Sequence, residues 1–217
     1  MTCRSNVGGD IMAMKTLGIS TSPRINGNTD ILLQRALYGA EQAGSQIECV
    51  RLCDYKFGGC TECEACYTTG SCAIEDGYNL IQEKMLSADR IVFATPVFFM
   101  TVCAQAKLLI DRGQCLWVRK AVLGLRLFES PRDRRGMLIA AGGSASKKQF
   151  ECVRRTVESC FDYLEVSLVS SLFVSRVDEK GAVLKHPEAL AESFRLGREL
   201  AGSAEPVPEE PVCVVLS

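Results

Sequence analysis

Lys15-Thr16-Leu17-Gly18-Ile19-Ser20 runs into Thr21-Ser22-Pro23-Arg24-Ile25-Asn26-Gly27-Asn28-Thr29, and this turn opens into Asp30-Ile31-Leu32-Leu33-Gln34-Arg35-Ala36-Leu37. The first six residues form a short apolar run of strand length. After the turn, Ile31, Leu32, Arg35, Ala36 and Ala40 recur at steps of three and four, so one stripe of a helix can lie on a sheet, and Gly44 stops that helix. The turn itself is dense in hydroxyls and amides. Because a helix start exposes unpaired N–H groups and the positive end of the macrodipole, it suits a phosphate. Ser22, Asn28 and Thr29 are candidate donors, Arg24 is a candidate cover for the charge, and Ser20 and Asn26 complete the candidate set. A plainer reading makes Asn26, Asn28 or Thr29 a helix cap. Gly27 stands alone and no Gly-Lys pair follows, so neither the dinucleotide fingerprint nor the P-loop is present, and a mononucleotide fits better than ATP or NAD.

The strand-turn-helix pattern repeats along the chain. Strands are predicted at 15–20, 47–52, 90–95, 136–141 and 166–174, and helices at 29–44, 78–88, 103–111, 148–164 and 187–202. Alternation of this kind gives an α/β fold, a doubly wound parallel sheet of five strands with helices on both faces. Residues 1–13 read as a flexible extension, 14–202 as one domain with a cysteine-rich loop at 58–76, and 203–217 as a loose, proline- and glutamate-rich tail.

The third strand ends in Thr95-Pro96-Val97-Phe98-Phe99-Met100-Thr101. Ligands of open α/β sheets bind at the carboxyl ends of the strands, where the strand order reverses, which brings this turn beside the phosphate loop. Val97 and Phe98 there offer packing for a flat ring, and Gly142 and Gly143, after the fourth strand, let backbone approach a ligand at the same edge.

Twelve cysteines are present, and four of them form the run Cys60-x2-Cys63-x2-Cys66-x5-Cys72. Four soft thiolates so closely spaced suit a [4Fe–4S] cluster, with zinc or an empty thiol site as the alternatives. Glu62, Glu64 and Glu75 would add negative charge beside a cluster and lower its reduction potential. The other eight cysteines read mostly as small hydrophobes.

A formal net charge of −1 argues against a nucleic-acid partner. No secretory signal and no apolar run of membrane-spanning length is visible, so a cytoplasmic location with reduced thiols and no membrane partner is expected. Cys213 is fifth from the end, one place too far for a prenylation box. His186 before Pro187 is expected to cap a helix or face solvent, and Trp117 to pack or to shield a ring. Arg119, Lys120, Arg126, Arg132, Arg134 and Arg135 are expected to make a solvated basic loop, with docking of an acidic carrier or of a dinucleotide's extra phosphate as the rival reading.

Taken together, Ser22-Pro23-Arg24, Asn26-Gly27-Asn28-Thr29, the four-cysteine run, Thr95-Pro96-Val97-Phe98-Phe99 and Ile110-Asp111-Arg112 resemble the iron-sulfur flavoprotein branch of the NADPH-dependent FMN reductases. The resemblance implies a flavodoxin-like sheet of order 2-1-3-4-5, with FMN phosphate on the positions Ser22, Arg24, Asn28 and Thr29. It also implies a cluster on Cys60, Cys63, Cys66 and Cys72, and a homo-oligomer, dimer or tetramer, in which flavin and cluster face each other across subunits. The expected activity is electron transfer from NAD(P)H or a ferredoxin-like donor to a quinone, an oxygen species or a carrier protein. The alternatives are a cluster-free NAD(P)H-dependent FMN or quinone reductase and a non-enzymatic electron carrier.

Overall fold

The computed structural model describes residues 14–217, and the expected extension at 1–13 lies outside the described residues. Seven strands form the sheet: β1 (Lys15–Ser20), β2 (Gln46–Arg51), β3 (Arg90–Phe98), β4 (Thr101–Val102), β5 (Arg135–Ala141), β6 (Ser167–Val174) and β7 (Val212–Leu216). Six run parallel in the order β2-β1-β3-β5-β6-β7, and β4 pairs antiparallel with β3 off that path. The architecture is α/β and flavodoxin-like, but the expectation of five strands in the order 2-1-3-4-5 is corrected. The five predicted strands hold the first five places of a longer path.

The added edge strand also corrects the reading of 203–217 as loose. Val212-Cys213-Val214-Val215-Leu216 pairs along β6 from Ser170↔Val212 to Val174↔Leu216. Both the backbone N–H and the hydroxyl of Ser175 donate to the Leu216 carbonyl, at 2.9 and 3.0 Å. Upstream, Arg135 Nη2 donates to the Glu205 carbonyl at 2.7 Å. Proline bars this segment from a helix, whereas an apolar run of five residues is enough for a parallel edge strand.

The main helices are α1 (Asn28–Gln42), α2 (Cys66–Thr69), α3 (Gly77–Ser87), α4 (Ala104–Arg112), α5 (Gln114–Trp117), α6 (Glu151–Tyr163) and α7 (Pro187–Gly202). Two cores result, one per face of the sheet. One packs Leu32, Leu33, Ala36 and Leu37 of α1 with Leu196 and Leu200 of α7, and the other packs Tyr78 and Ile81 of α3 with Val153, Val157 and Phe161 of α6. Helices α1 and α7 approach backbone to backbone: a Cβ on Gly197 would lie 2.0 Å from the Ala36 carbonyl oxygen, and one on Gly39 2.1 Å from that of Phe194. The buried Ser193 hydroxyl closes the crossing by donating to the Leu32 carbonyl at 2.6 Å.

The basic segment is neither a solvated loop nor a free docking surface throughout. Arg134 is buried and donates to the carbonyls of Ala88, Met85 and Leu164. Burial pulls its guanidinium down to about 10, which leaves it protonated at neutral pH. Arg135 bonds Asp133 at 2.8 Å, Arg132 bonds Asp89 at 2.6 Å, and Lys120 donates to the Asp162 carbonyl. These cations gather carbonyls at the amino edge of the sheet, opposite the expected site. His186 bonds Glu188 at 3.3 Å and makes no side-chain cap to α7. Among the described residues no helix is long and apolar enough to cross a membrane.

Candidate functional site

At the carboxyl ends of β1 and β3 the two predicted loops meet. Thr21 N–H donates to the Ala94 carbonyl at 3.0 Å, which extends the sheet by one bond into the phosphate loop. Cys103, fully buried at the start of α4, ties the loops together. Its thiol donates to the Thr21 carbonyl at 3.2 Å and receives the Thr95 hydroxyl at 3.8 Å, while its N–H donates to Thr95 Oγ1 at 3.4 Å. Sequence reasoning placed Cys103 among the packing thiols. Its position at the first helical turn after the aromatic loop is the signal that marks it.

The phosphate loop is shaped by Asp30, which sequence reasoning also passed over. This buried carboxylate accepts from the Ser20 hydroxyl, the Asn26 N–H and Arg51 Nη1, each at 2.9 Å. Ser20 and Asn26 therefore hold the loop's shape. Asn28 spans to the segment after β6: its amide donates to the Val177 and Glu179 carbonyls, and its Oδ1 accepts from Val183 N–H. Arg24 reaches the Asp178 carbonyl at 3.1 Å and Ser22 Oγ accepts from Arg24 N–H. Thr29 is buried in the first turn of α1. The helix N-cap is Gly27 and no side chain caps it, contrary to the plain capping reading of Asn26, Asn28 or Thr29. An uncapped first turn, enclosed by a polar loop, leaves helical N–H groups for an anion.

Beyond Thr95, Pro96 and Val97 are half-buried, and β3 turns through Phe98, Phe99, Met100 and Thr101 into β4. Phe99 and Met100 have φ of 48° and 67°, the left-handed pair that a tight two-residue hairpin requires. Glycine or asparagine is usual there, so two bulky apolar residues hold this turn at a cost in backbone strain. Phe99 is wholly exposed and Phe98 and Met100 are nearly half exposed. Gly142 gives its room to Gln149 and Val97, whose atoms would lie 2.3 and 3.1 Å from a Cβ there, and Gly143 gives its room to Asp178.

The four predicted cysteines line one cavity of about 860 Å³, closed by α3, α4, α5 and α6. Cys60 and Cys63 are exposed, and Cys66 and Cys72 half-buried. Burial first, then the neighbouring sulfurs of Cys115, Cys60 and Cys63, push the Cys66 thiol up. Glu62 and Glu64 take φ of 51° and 58°, so the loop coils between its thiols, and Glu62 N–H donates to Cys60 Sγ at 3.5 Å. Glu62, Glu64 and Glu75 face solvent. Trp117 lines this cavity.

Among the described residues no three Cys, His, Asp or Glu side chains are gathered as one metal ion needs. One tetrahedral zinc would draw its sulfurs to within roughly 4 Å of each other, given Zn–S bonds of about 2.3 Å. A cubane sets each thiolate on a different iron, which spaces them wider. The all-thiol donor set, the N–H bond to Cys60 and the unpartnered Nε of buried Arg112 in the cavity wall fit a cluster.

The sequence pattern of the NADPH-dependent FMN reductases matches residues 14–176. An iron-sulfur flavoprotein of Methanocaldococcus jannaschii is 37% identical over 136 residues, 63% of this chain and 66% of that protein. An iron-sulfur flavoprotein of Methanosarcina thermophila is 31% identical over 153 residues, 70% of this chain and 74% of that one. In fold, the NAD(P)H:quinone oxidoreductase of Methanothermobacter marburgensis superposes with a TM-score of 0.66 at 17% identity, covering 89% of this chain and 99% of the other. The loop that opens α1, the turn that ends β3 and the matched sequence agree: the chain belongs to the NADPH-dependent FMN reductase family of FMN-dependent oxidoreductases.

Proposed function

We propose that this chain holds FMN at the rim formed by the β1–α1 loop and the end of β3, and a [4Fe–4S] cluster on Cys60, Cys63, Cys66 and Cys72. In this reading it passes electrons from NAD(P)H or a ferredoxin-like donor to a quinone, an oxygen species or a carrier protein. The observation that carries the reading is the uncapped start of α1 inside a polar loop, at the carboxyl edge of the paired strands β1 and β3. The iron-sulfur flavoprotein relatives support the cluster.

When bound, FMN takes up two electrons together and gives them up singly, and the cluster carries one at a time. The chain's own part is placement. The first turn of α1 and Ser22 hold the phosphate, and Arg24 covers its charge. Thr95, Pro96, Val97 and Phe98 wall the ring and exclude water, with Cys103 fixing this wall to the phosphate loop. The exposed Phe98, Phe99 and Met100 seat a second copy of the chain, which brings one subunit's cavity towards the other's flavin.

Anaerobic purification with reconstitution tests the reading. One FMN per chain with four iron and four sulfide supports it. A colourless protein holding zinc contradicts it, and flavin alone with steady NAD(P)H oxidation reduces it to a cluster-free reductase.

A further inference from the structure

Arg112 lies at the end of α4 with its side chain out of solvent, and it gathers both ends of the cysteine loop. Nη1 donates to the Gly58 carbonyl at 3.2 Å and to Asp76 Oδ2 at 2.8 Å, and Nη2 donates to the Ile74 carbonyl at 2.9 Å. Asp76 Oδ2 in turn accepts from Gly58 N–H at 3.1 Å. The guanidinium also stands over the Tyr78 ring, 4.6 Å from its centroid. These partners occupy the two outer nitrogens. The third nitrogen, Nε, is buried and has no partner.

An unpaired buried N–H of a charged group costs more than an ordinary unmade hydrogen bond, so its persistence needs a reason. Arg112 and Cys72 line the same cavity. Arg112 Nη2 holds the carbonyl of Ile74, two residues beyond Cys72, so the guanidinium stands at that end of the cysteine run. Arg119, the next arginine along the chain, has its Nε engaged with the Arg126 carbonyl at 3.3 Å.

We propose that Arg112 is the tuning residue of the cluster site: its free Nε–H donates to sulfur at the Cys72 corner, and its charge raises the cluster's reduction potential. The inference rests on the reading that the four cysteines hold a cluster. Reduction adds negative charge to the cluster, and a fixed cation with a donor on sulfur favours that state. It offsets Glu62, Glu64 and Glu75 on the solvent side. The same side chain fastens the loop, so the fastening and tuning roles are separated by what is measured.

The test uses the reconstituted holoprotein, wild type and Arg112→Lys, with arginine labelled with nitrogen-15 at Nε. Pulsed electron paramagnetic resonance of the reduced cluster is expected to show a nitrogen-15 coupling in the wild type and none in Arg112→Lys. Potentiometry of Arg112→Gln is expected to show at least a tenfold smaller equilibrium constant for cluster reduction, about 59 mV for one electron. A loaded wild-type cluster without the coupling overturns the proposal, because Nε then bonds water instead, and this measurement stands even if the variants fail to fold. An unchanged potential in a loaded Arg112→Gln protein overturns it as well. Wild-type protein that takes up no iron and sulfide defeats the cluster reading itself, and the metal content identifies that outcome.

Discussion

Asp76 and Arg112, 36 residues apart in sequence and joined at 2.8 Å, close the cysteine loop at its base. Asp76 also caps α3, accepting from Tyr78 N–H at 3.0 Å, so the loop's exit and the helix start share one carboxylate. Burial would raise that carboxyl, but bonds from Arg112, Tyr78 N–H and Gly58 N–H outweigh it and hold it below the ordinary range. Asp76→Asn leaves Arg112 buried without its counter-charge. The expected loss is about 2–3 kcal/mol, less than for a fully buried pair because Asp76 keeps some solvent. Iron release to a chelator should quicken several-fold while FMN affinity holds. Equal release rates from variant and wild type would show that the pair does not fasten the loop.

The crossing of α1 and α7 gives a second prediction. A Cβ on Gly197 has only the Ala36 backbone to meet, at 2.0 Å, so Gly197→Ala must push the helices apart at about 2–3 kcal/mol. On Gly202, at the helix end, a Cβ would meet only the Ala43 Cβ at 3.5 Å, an ordinary contact. Urea unfolding should separate the two variants. Equal midpoints would contradict close backbone packing.

Asp133 supplies the pH dependence. The bond from Arg135 holds its carboxyl below the ordinary value, with Arg90 adding to this against the opposing effect of burial. A depressed carboxylate contributes stability above its unfolded-state value of about 3.9 and loses it as pH falls through the lower folded-state value. Asp133→Asn should therefore be less stable than wild type near neutrality, and the gap should close on acidification below that range. A gap that widens in acid would contradict the assignment.

The legible part of the fold was the part written in local periodicity. The strand at Lys15–Ser20 and the helix at Pro187–Gly202 end where apolar pattern and proline place them, and the other predicted elements shift by a few residues. The edge strand at Val212–Leu216 escaped because three prolines and three glutamates dominate 203–217, and its partner β6 is decided by tertiary contact. At the site, residue types pointed to the loops but not to their wiring. Asp30 draws on Arg51, and Cys103 on Thr21 and Thr95, across separations that no local pattern encodes. The same holds for Arg134, whose charge reads as surface but meets three carbonyls in the interior.

The phosphate site at the start of α1 is the claim on which the flavin assignment stands, and riboflavin, which lacks the phosphate, measures it. Fluorescence titration of apoprotein should show FMN binding about 100-fold tighter than riboflavin, about 2.7 kcal/mol. Gly27→Asp sets a carboxylate at the open helix start, in a backbone conformation with φ of −74° that aspartate adopts readily. A Cβ there would stand 3.1 Å from the Arg24 carbonyl oxygen, so the loop must give by a few tenths of an ångström; the variant should still fold and should bind the two flavins alike. FMN and riboflavin binding equally to the wild-type protein would contradict the account.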